Sequence, residues 1–83
     1  MTWTVVWRSI AETRLANIWL RSNDRQSITD AADEIDRLLR IQALEVGESR
    51  EGTSRILTVD RLTVSYNVYD DDRLVEVWLV WRT

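Results

Sequence analysis

The chain has 83 residues, of which 45% are hydrophobic and 30% are charged, a composition typical of one small globular domain. It contains no cysteine and no histidine, which excludes disulfide frameworks, thiolate catalysis, histidine general bases and histidine-containing zinc sites. No apolar run approaches the roughly 18 residues that span a bilayer, and no basic, apolar leader opens the chain. We therefore expect a single domain over residues 1–83 in the cytoplasm, with no membrane association, metal or cofactor.

The charge of the chain constrains its partners. All 11 cationic side chains are arginine, and 14 carboxylates bring the net charge to −3. A pI of about 4.8 argues against general, salt-driven nucleic-acid binding. The charge is uneven, however: three arginines face one acid in residues 1–21, three face seven in residues 22–48, and five face six in residues 49–83. A local basic surface is therefore compatible with the acidic whole.

The first predicted elements are a strand and a helix. Residues 2–7 are β-branched and aromatic, and their alternation predicts a strand. From Ser9 the apolar residues recur every three or four positions, which predicts a helix over about residues 10–21. Ser9 followed by Glu12 fits a capping box, in which each side chain bonds a free amide of the first turn. The apolar stripe of this helix includes Trp19, which we expect in the core.

A second amphipathic helix follows a polar run at residues 21–27. Its apolar stripe begins at Ile28 and continues to about residue 42, with acids and arginines on the opposite side. Two such helices joined by a short polar link should form an antiparallel hairpin that lies on an apolar sheet.

The last third of the chain predicts that sheet. Residues 45–53 hold both glycines and should form an irregular loop. Strands are expected over about residues 54–59, 61–69 and 73–82, with Asp70-Asp71-Asp72 as a solvated turn. The alternation gives the sheet one dry face that should carry the helices, built by Leu62, Val64, Tyr66, Val68, Val75, Val77 and Leu79. The opposite face, called here the open face, should be polar. The fold class is α+β, a β-α-α-β-β-β two-layer sandwich with the helical hairpin on one face of a mainly antiparallel sheet.

This order of elements resembles the RelE/ParE superfamily of toxins from bacterial type II toxin–antitoxin modules. The resemblance is carried by a first helix reading IAETRLANIW, a second helix reading AADEIDRLL, the connector Gly47–Arg50, a strand opening at Arg55, and the closing hairpin LTVSYNVYDDDRLVEVWLVWR. It covers nearly the whole chain and implies a growth-inhibiting toxin of the plasmid-stabilisation type that a cognate antitoxin neutralises. RelE-like members are mRNA interferases that cut mRNA inside the ribosome, and ParE-like members dock on DNA gyrase; both targets stay open here. The alternative is a non-catalytic protein-binding module of the same fold.

The resemblance also implies candidate site residues. In the RNase branch, basic residues on the open face and near the C-terminus bind the scissile phosphate and stabilise its developing charge. Carried over to this sequence, Arg61 and Arg82 are the candidate catalytic residues, and Arg50 and Arg55 the candidate phosphate-binding residues. The penultimate-strand arginine of many RNase members is replaced by Thr63, and later basic and tyrosine positions have no counterpart. These departures favour docking over cleavage.

Each candidate also has a purely structural interpretation. The four arginines can equally be surface residues paired with carboxylates such as Glu48 or Glu76. Trp78 is predicted on the open face beside Glu76, where it is either a partner-binding residue or part of the sheet packing. The remaining tryptophans, at positions 3, 7, 19 and 81, lie on apolar stripes and are expected in the core.

Overall fold

A computed structural model describes residues 2–83. The chain forms strand β1 (Thr4–Trp7), helices α1 (Ser9–Arg21) and α2 (Arg25–Gln42), and strands β2 (Glu48–Ser49), β3 (Ser54–Val59), β4 (Leu62–Tyr69) and β5 (Leu74–Arg82). A short 3-10 turn at Asp70–Asp72 joins β4 to β5. The predicted α+β order is confirmed. The two-residue strand β2 is an addition, because it lies within the segment predicted as irregular loop.

The five strands form one sheet in the order β1-β5-β4-β3-β2. β1 runs parallel to β5, and every other neighbouring pair is antiparallel. β5 therefore lies between β1 and β4. Both helices lie in the segment of chain that joins β1 to β2. Within the described residues, no helix is long and apolar enough to cross a membrane.

Helix α1 begins one residue earlier than predicted, and its predicted capping box is wrong. Arg8 is the N-cap residue and makes no side-chain capping bond. Ser9 already belongs to the helix, so its hydroxyl is not at the capping position, and the amide of Glu12 donates to the Arg8 carbonyl at 3.0 Å. The first turn is thus stabilised by backbone bonds alone.

Helix α2 begins at Arg25, inside the polar run that was predicted to separate the helices. The carboxylate of Asp24 accepts a hydrogen bond from the Ser27 amide at 3.1 Å. An aspartate that satisfies a free amide in this way is a strong helix start signal. Because of this capping bond, the helix begins three residues before its apolar stripe, which starts at Ile28.

The core lies between the helical hairpin and one face of the sheet. Helix α2 supplies four buried side chains, whereas α1 supplies only Ala11. The sheet supplies the residues predicted for the dry face on β4 and β5, except Leu79, and the apolar core residues from the strands are Val5, Leu57, Leu62, Val64, Tyr66, Val68, Val75, Val77 and Val80. Most of the fully buried helical side chains therefore come from α2, although α1 also packs along β5.

A β-bulge in β5 explains the exception. Val77 and Leu79 each have a partner on β4, but Trp78 between them has none. One extra residue reverses the alternation, so Val80 is fully buried on the helix-bearing face and Leu79 turns to the open face. The prediction that Leu79 packs under the helices was wrong for this reason. A bulge cannot be recognised in a run such as LVEVWLVW, because apolar residues stand at both odd and even positions and either register gives an apolar face.

Candidate functional site

The open face of the sheet is largely uncharged. The residues whose ladder pairing places them there include Val6, Ile56, Thr58, Thr63, Ser65, Asn67, Tyr69, Leu74, Leu79 and Trp81. Glu48 and Glu76 are the charged members among the paired residues of this face, and no arginine is paired there. The surface on which the resemblance places RNase chemistry therefore consists of apolar and small polar residues, of which Thr63 and Ser65 are buried.

Arg61 and Arg82 line one cavity, at the end of the sheet where β4 begins and β5 finishes, rather than on the open face. Arg82 pairs with Leu62, a core residue, because the bulge at Trp78 has reversed the face of the strand end. Arg61 lies in the turn that joins β3 to β4. Both are exposed, and both line a cavity of about 260 Å³ that they share with Asp24 and Asp60. Within residues 2–83 neither arginine forms an ion pair. Their catalytic role stays a prediction.

The candidate phosphate-binding arginines have different surroundings. Arg50 is exposed and forms an ion pair with Glu48 at 3.3 Å. Arg55 lies opposite Tyr66 on the helix-bearing face, and its Nη2 donates to the carbonyls of Val46 and Gly47 at 3.1 and 3.3 Å. The structure thus directs the Arg55 guanidinium towards the loop after α2. The phosphate-binding role of both residues stays a prediction.

The same loop is held by a buried tyrosine. The Tyr66 hydroxyl donates to the Val46 carbonyl at 3.0 Å. Burial raises the pKa of the Tyr66 hydroxyl, and the nearby Arg55 guanidinium partly offsets this effect. Gly47 passes so close that an added Cβ would lie 2.6 Å from both the Ile56 carbonyl oxygen and the Tyr66 hydroxyl, and its φ is +73°. The connector Gly47–Arg50, which carried part of the resemblance, begins at this structural requirement for glycine.

Trp78 is the bulged residue of β5 and is half-buried. Its indole nitrogen is buried and has no hydrogen-bond partner among the described residues. A substitution at Trp78 would therefore alter the bulge as well as any surface. Its role in partner binding stays a prediction.

A large apolar groove runs between the two helices. This helix groove has a volume of about 1000 Å³, and its apolar walls are formed by Trp7, Leu15, Trp19, Leu20, Ile28 and Ala32. Leu20 is 58% exposed and Trp19 is 38% exposed, so the prediction of a core Trp19 was wrong. The Trp19 indole N–H donates to the Thr29 hydroxyl at 3.1 Å, and the Arg25 guanidinium lies 4.7 Å from its ring centroid. The apolar stripe of α1 is wider than the surface that α2 and the sheet cover.

The opposite flank of α1 carries a basic cleft that the sequence analysis missed. It has a volume of about 490 Å³ and is lined by Arg14, Asn17, Ile18, Arg21, Val80, Trp81 and Arg82. We call it the arginine cleft. The signal that would have found it is the seven-residue spacing of Arg14 and Arg21, which places both on one side of a helix.

Nowhere in residues 2–83 do three or more carboxylates gather at a point where they could hold a metal ion. The turn Asp70–Asp72 contacts Arg73 through Asp70 at 3.7 Å and is otherwise exposed. The turn is solvated, as the sequence predicted.

The comparisons with known proteins reveal the fold. The sequence matches no protein-family model and no curated protein. The structure, however, superposes on one chain from the structure of the RelBE2 toxin–antitoxin complex of Mycobacterium tuberculosis. The match covers 100% of this chain and 100% of that chain, with 16% identity and a TM-score of 0.81. The structure also matches the chromosomal ParDE system of P. aeruginosa over 98% of this chain and 96% of that one, with 15% identity and a TM-score of 0.76. The isolated E. coli RelE toxin gives a TM-score of 0.66 with 13% identity, covering 98% of this chain and 84% of the toxin. The predicted RelE/ParE-like fold is confirmed.

Proposed function

We propose that the protein is the toxin of a type II toxin–antitoxin module and that a cognate antitoxin neutralises it. The observation that carries the proposal is the agreement of the fold, over 98% to 100% of this chain, with structures from three toxin–antitoxin systems. Fold alone admits many functions. The proposal therefore also draws on a surface that suits a protein partner.

The helix groove supplies that surface. Ala11 is the one buried residue of α1, while Trp19 and Leu20, which line the groove, are 38% and 58% exposed. Exposed apolar side chains gathered in a concave surface are typical of a protein-binding site. An amphipathic helix of the antitoxin would fill the groove with residues at three- and four-residue spacing.

The rim of the helix groove indicates the charge of its occupant. Asp36 pairs with Arg40 at 2.7 Å, and Arg37 pairs with Glu34. The carboxylates of Glu12 and Asp33 make no ion pair or hydrogen bond within residues 2–83. The groove therefore suits a helix whose apolar side is flanked by basic residues.

The proposed mode of action is docking on a target, as in gyrase-directed toxins, rather than cleavage of mRNA. The support is the arginine-free ladder of the open face together with the net charge of −3. A second candidate, ribosome-dependent cleavage, is favoured by the unpaired Arg61 and Arg82 around one cavity. A binding module that inhibits nothing is the third.

Growth under induced expression tests the toxin proposal. We expect arrest after induction in a bacterial host, and relief when the protein encoded by the neighbouring gene is produced as well. Leu20→Glu places a charge in the helix groove and should keep the arrest but abolish relief. Ile41→Glu is the matched control, because Ile41 is similarly exposed at 51% and lies outside the groove. Normal growth of the induced wild-type strain would refute the proposal.

The two modes of action are separated by an arginine variant. If the protein acts by docking, Arg61→Ala/Arg82→Ala should remain toxic, and purified wild-type protein should leave ribosome-bound mRNA intact. Loss of a charged donor from a catalytic site typically lowers the rate by roughly 100- to 1,000-fold. Cleavage of mRNA by the wild type that disappears in the double variant would establish the RNase mode instead.

A further inference from the structure

Helix α1 separates two surfaces of opposite character. Its flank towards α2 is the apolar helix groove, and its other flank contributes Arg14 and Arg21 to the arginine cleft. Arg82, at the end of β5, reaches the same cleft because the bulge has changed the face of the strand end. An acidic protein thus gathers three of its arginines around one cavity of about 490 Å³.

These three arginines are not neutralised by the fold. Within residues 2–83, the ion pairs involve other arginines, and no carboxylate lines the arginine cleft. The side chains of Arg14, Arg21 and Arg82 also donate no hydrogen bond to the described residues, whereas Arg25 and Arg55 are both bonded to carbonyls. Guanidinium groups that converge without counter-charges favour an anionic ligand, which they bind with paired N–H donors.

The surroundings of the cleft favour a peptide over a nucleic acid. Arg82 also lines the adjoining cavity, where Asp24 and Asp60 lie. A nucleic acid carries a phosphate at every nucleotide, so its backbone would meet these carboxylates as it left the arginines. A peptide can alternate carboxylates with apolar side chains. Such a pattern matches a cleft in which Ile18 and Trp81 lie among the arginines.

We propose that the arginine cleft binds a carboxylate-bearing segment of a protein partner. The inference rests on the proposed function for one point, namely that the ligand belongs to the partner that occupies the helix groove. The two surfaces are separated only by α1, and a helix is about 10 Å across. About three or four extended residues of the partner would cross it, at roughly 3.3 Å each. The partner would then have a helix flanked by basic residues in the helix groove, followed by an acidic segment bound in the arginine cleft.

Side-chain NMR of the purified protein tests this site directly. The Nε–H resonances of the arginines are followed during titration with a tetraglutamate peptide, a tetraglutamine peptide, inorganic phosphate and a short oligouridylate, each at low ionic strength. We expect tetraglutamate to shift the resonances of Arg14, Arg21 and Arg82 and to leave that of Arg8 in place, and we expect no shift with tetraglutamine. Arg14→Gln/Arg21→Gln should weaken tetraglutamate binding roughly tenfold.

The matched control is Arg8→Glu. It changes the net charge by the same amount as the double variant, at an exposed position outside the arginine cleft, and should preserve binding. Tighter binding of the oligouridylate than of tetraglutamate would overturn the proposal in favour of a nucleic-acid surface, and a response to phosphate alone would reduce the cleft to a small-anion site. Equal shifts at Arg8 and in the cleft would mean that no site exists. The titration measures binding to the purified protein, whereas the toxin proposal is tested by growth. A negative result for the arginine cleft is therefore distinguishable from a negative result for the toxin proposal.

Discussion

At the residue scale, the loop after α2 is held in place by three residues, Arg55, Tyr66 and Gly47. Tyr66 and Arg55 both donate to the Val46 carbonyl, and Arg55 also reaches the Gly47 carbonyl. Position 47 requires glycine for two reasons. Its φ is +73°, and a Cβ there would collide with the Ile56 carbonyl oxygen and with the Tyr66 hydroxyl. Arg55, which the resemblance implies as a phosphate-binding residue, therefore has a structural role in holding this loop.

Substitution of the two glycines separates strain from collision. Gly52 also has a positive φ, of +58°, but an added Cβ would meet nothing within 4 Å. Gly52→Ala should therefore lower the free energy of unfolding by about 1 kcal/mol, from backbone strain alone. Gly47→Ala should lower it by roughly 2–5 kcal/mol, because the collision adds to the strain. Urea unfolding curves measure both, and equal losses would show that the close approach at Gly47 is not real.

The stability of the protein should decline at alkaline pH through Tyr66. The pKa of this hydroxyl is raised above its usual value of 10.0, mainly by burial. Above about pH 10 the unfolded chain releases the tyrosine proton while the folded protein still holds it, so the folded state binds more protons and stability falls as the pH rises. Tyr66→Phe should cost about 1 kcal/mol at neutral pH, from the lost hydrogen bond. It should also flatten the decline above pH 10 in melting-temperature profiles, and an identical slope in both proteins would contradict this account.

At the element scale, the two helices contribute unequally to stability. α2 buries Ile28, Ala31, Ile35 and Leu39, whereas α1 buries only Ala11. The fully buried side chains of the hairpin are therefore concentrated in α2, and α1 keeps part of its apolar stripe available to a partner. Both properties follow from one arrangement, because the groove between the helices is left unfilled by this chain.

Truncation of α2 side chains tests this distribution. Ile35 is fully buried, so Ile35→Ala should lower the free energy of unfolding by roughly 2–5 kcal/mol, the usual cost of removing a buried aliphatic side chain. A loss of that size is a large part of the stability of a small domain. Ile41 lies on the same helix but is 51% exposed, and Ile41→Ala should change the stability by no more than about 0.5 kcal/mol. Thermal melts that shift equally for the two variants would disprove this packing of α2.

At the scale of the whole molecule, the sequence predicted most of the fold and little of the candidate site. Apolar periodicity identified both helices and the four longer strands, since burial of one face imposes the period directly. The bulge escaped prediction because a residue such as Trp78 fits either face of an apolar strand. Its consequence was large, since the faces of Leu79 and Arg82 depend on it. The helix groove escaped for a related reason: Trp19 has the same spacing whether its apolar stripe meets the core or remains open to a partner.

The position of β5 between β1 and β4 has a consequence for how the chain is made. β1 has β5 as its sheet neighbour, so the segment at residues 4–7 cannot enter the sheet until residues 74–77 have been synthesised. At the usual rates of translation this delay is on the order of 4–14 s. During that time α1 and α2 can form locally, but Val5 and its neighbours have no sheet to join. The two ends of the chain must close the sheet together, in a late and long-range step of a kind that slows folding. Nascent chains should accordingly stay sensitive to protease until β5 has left the ribosome.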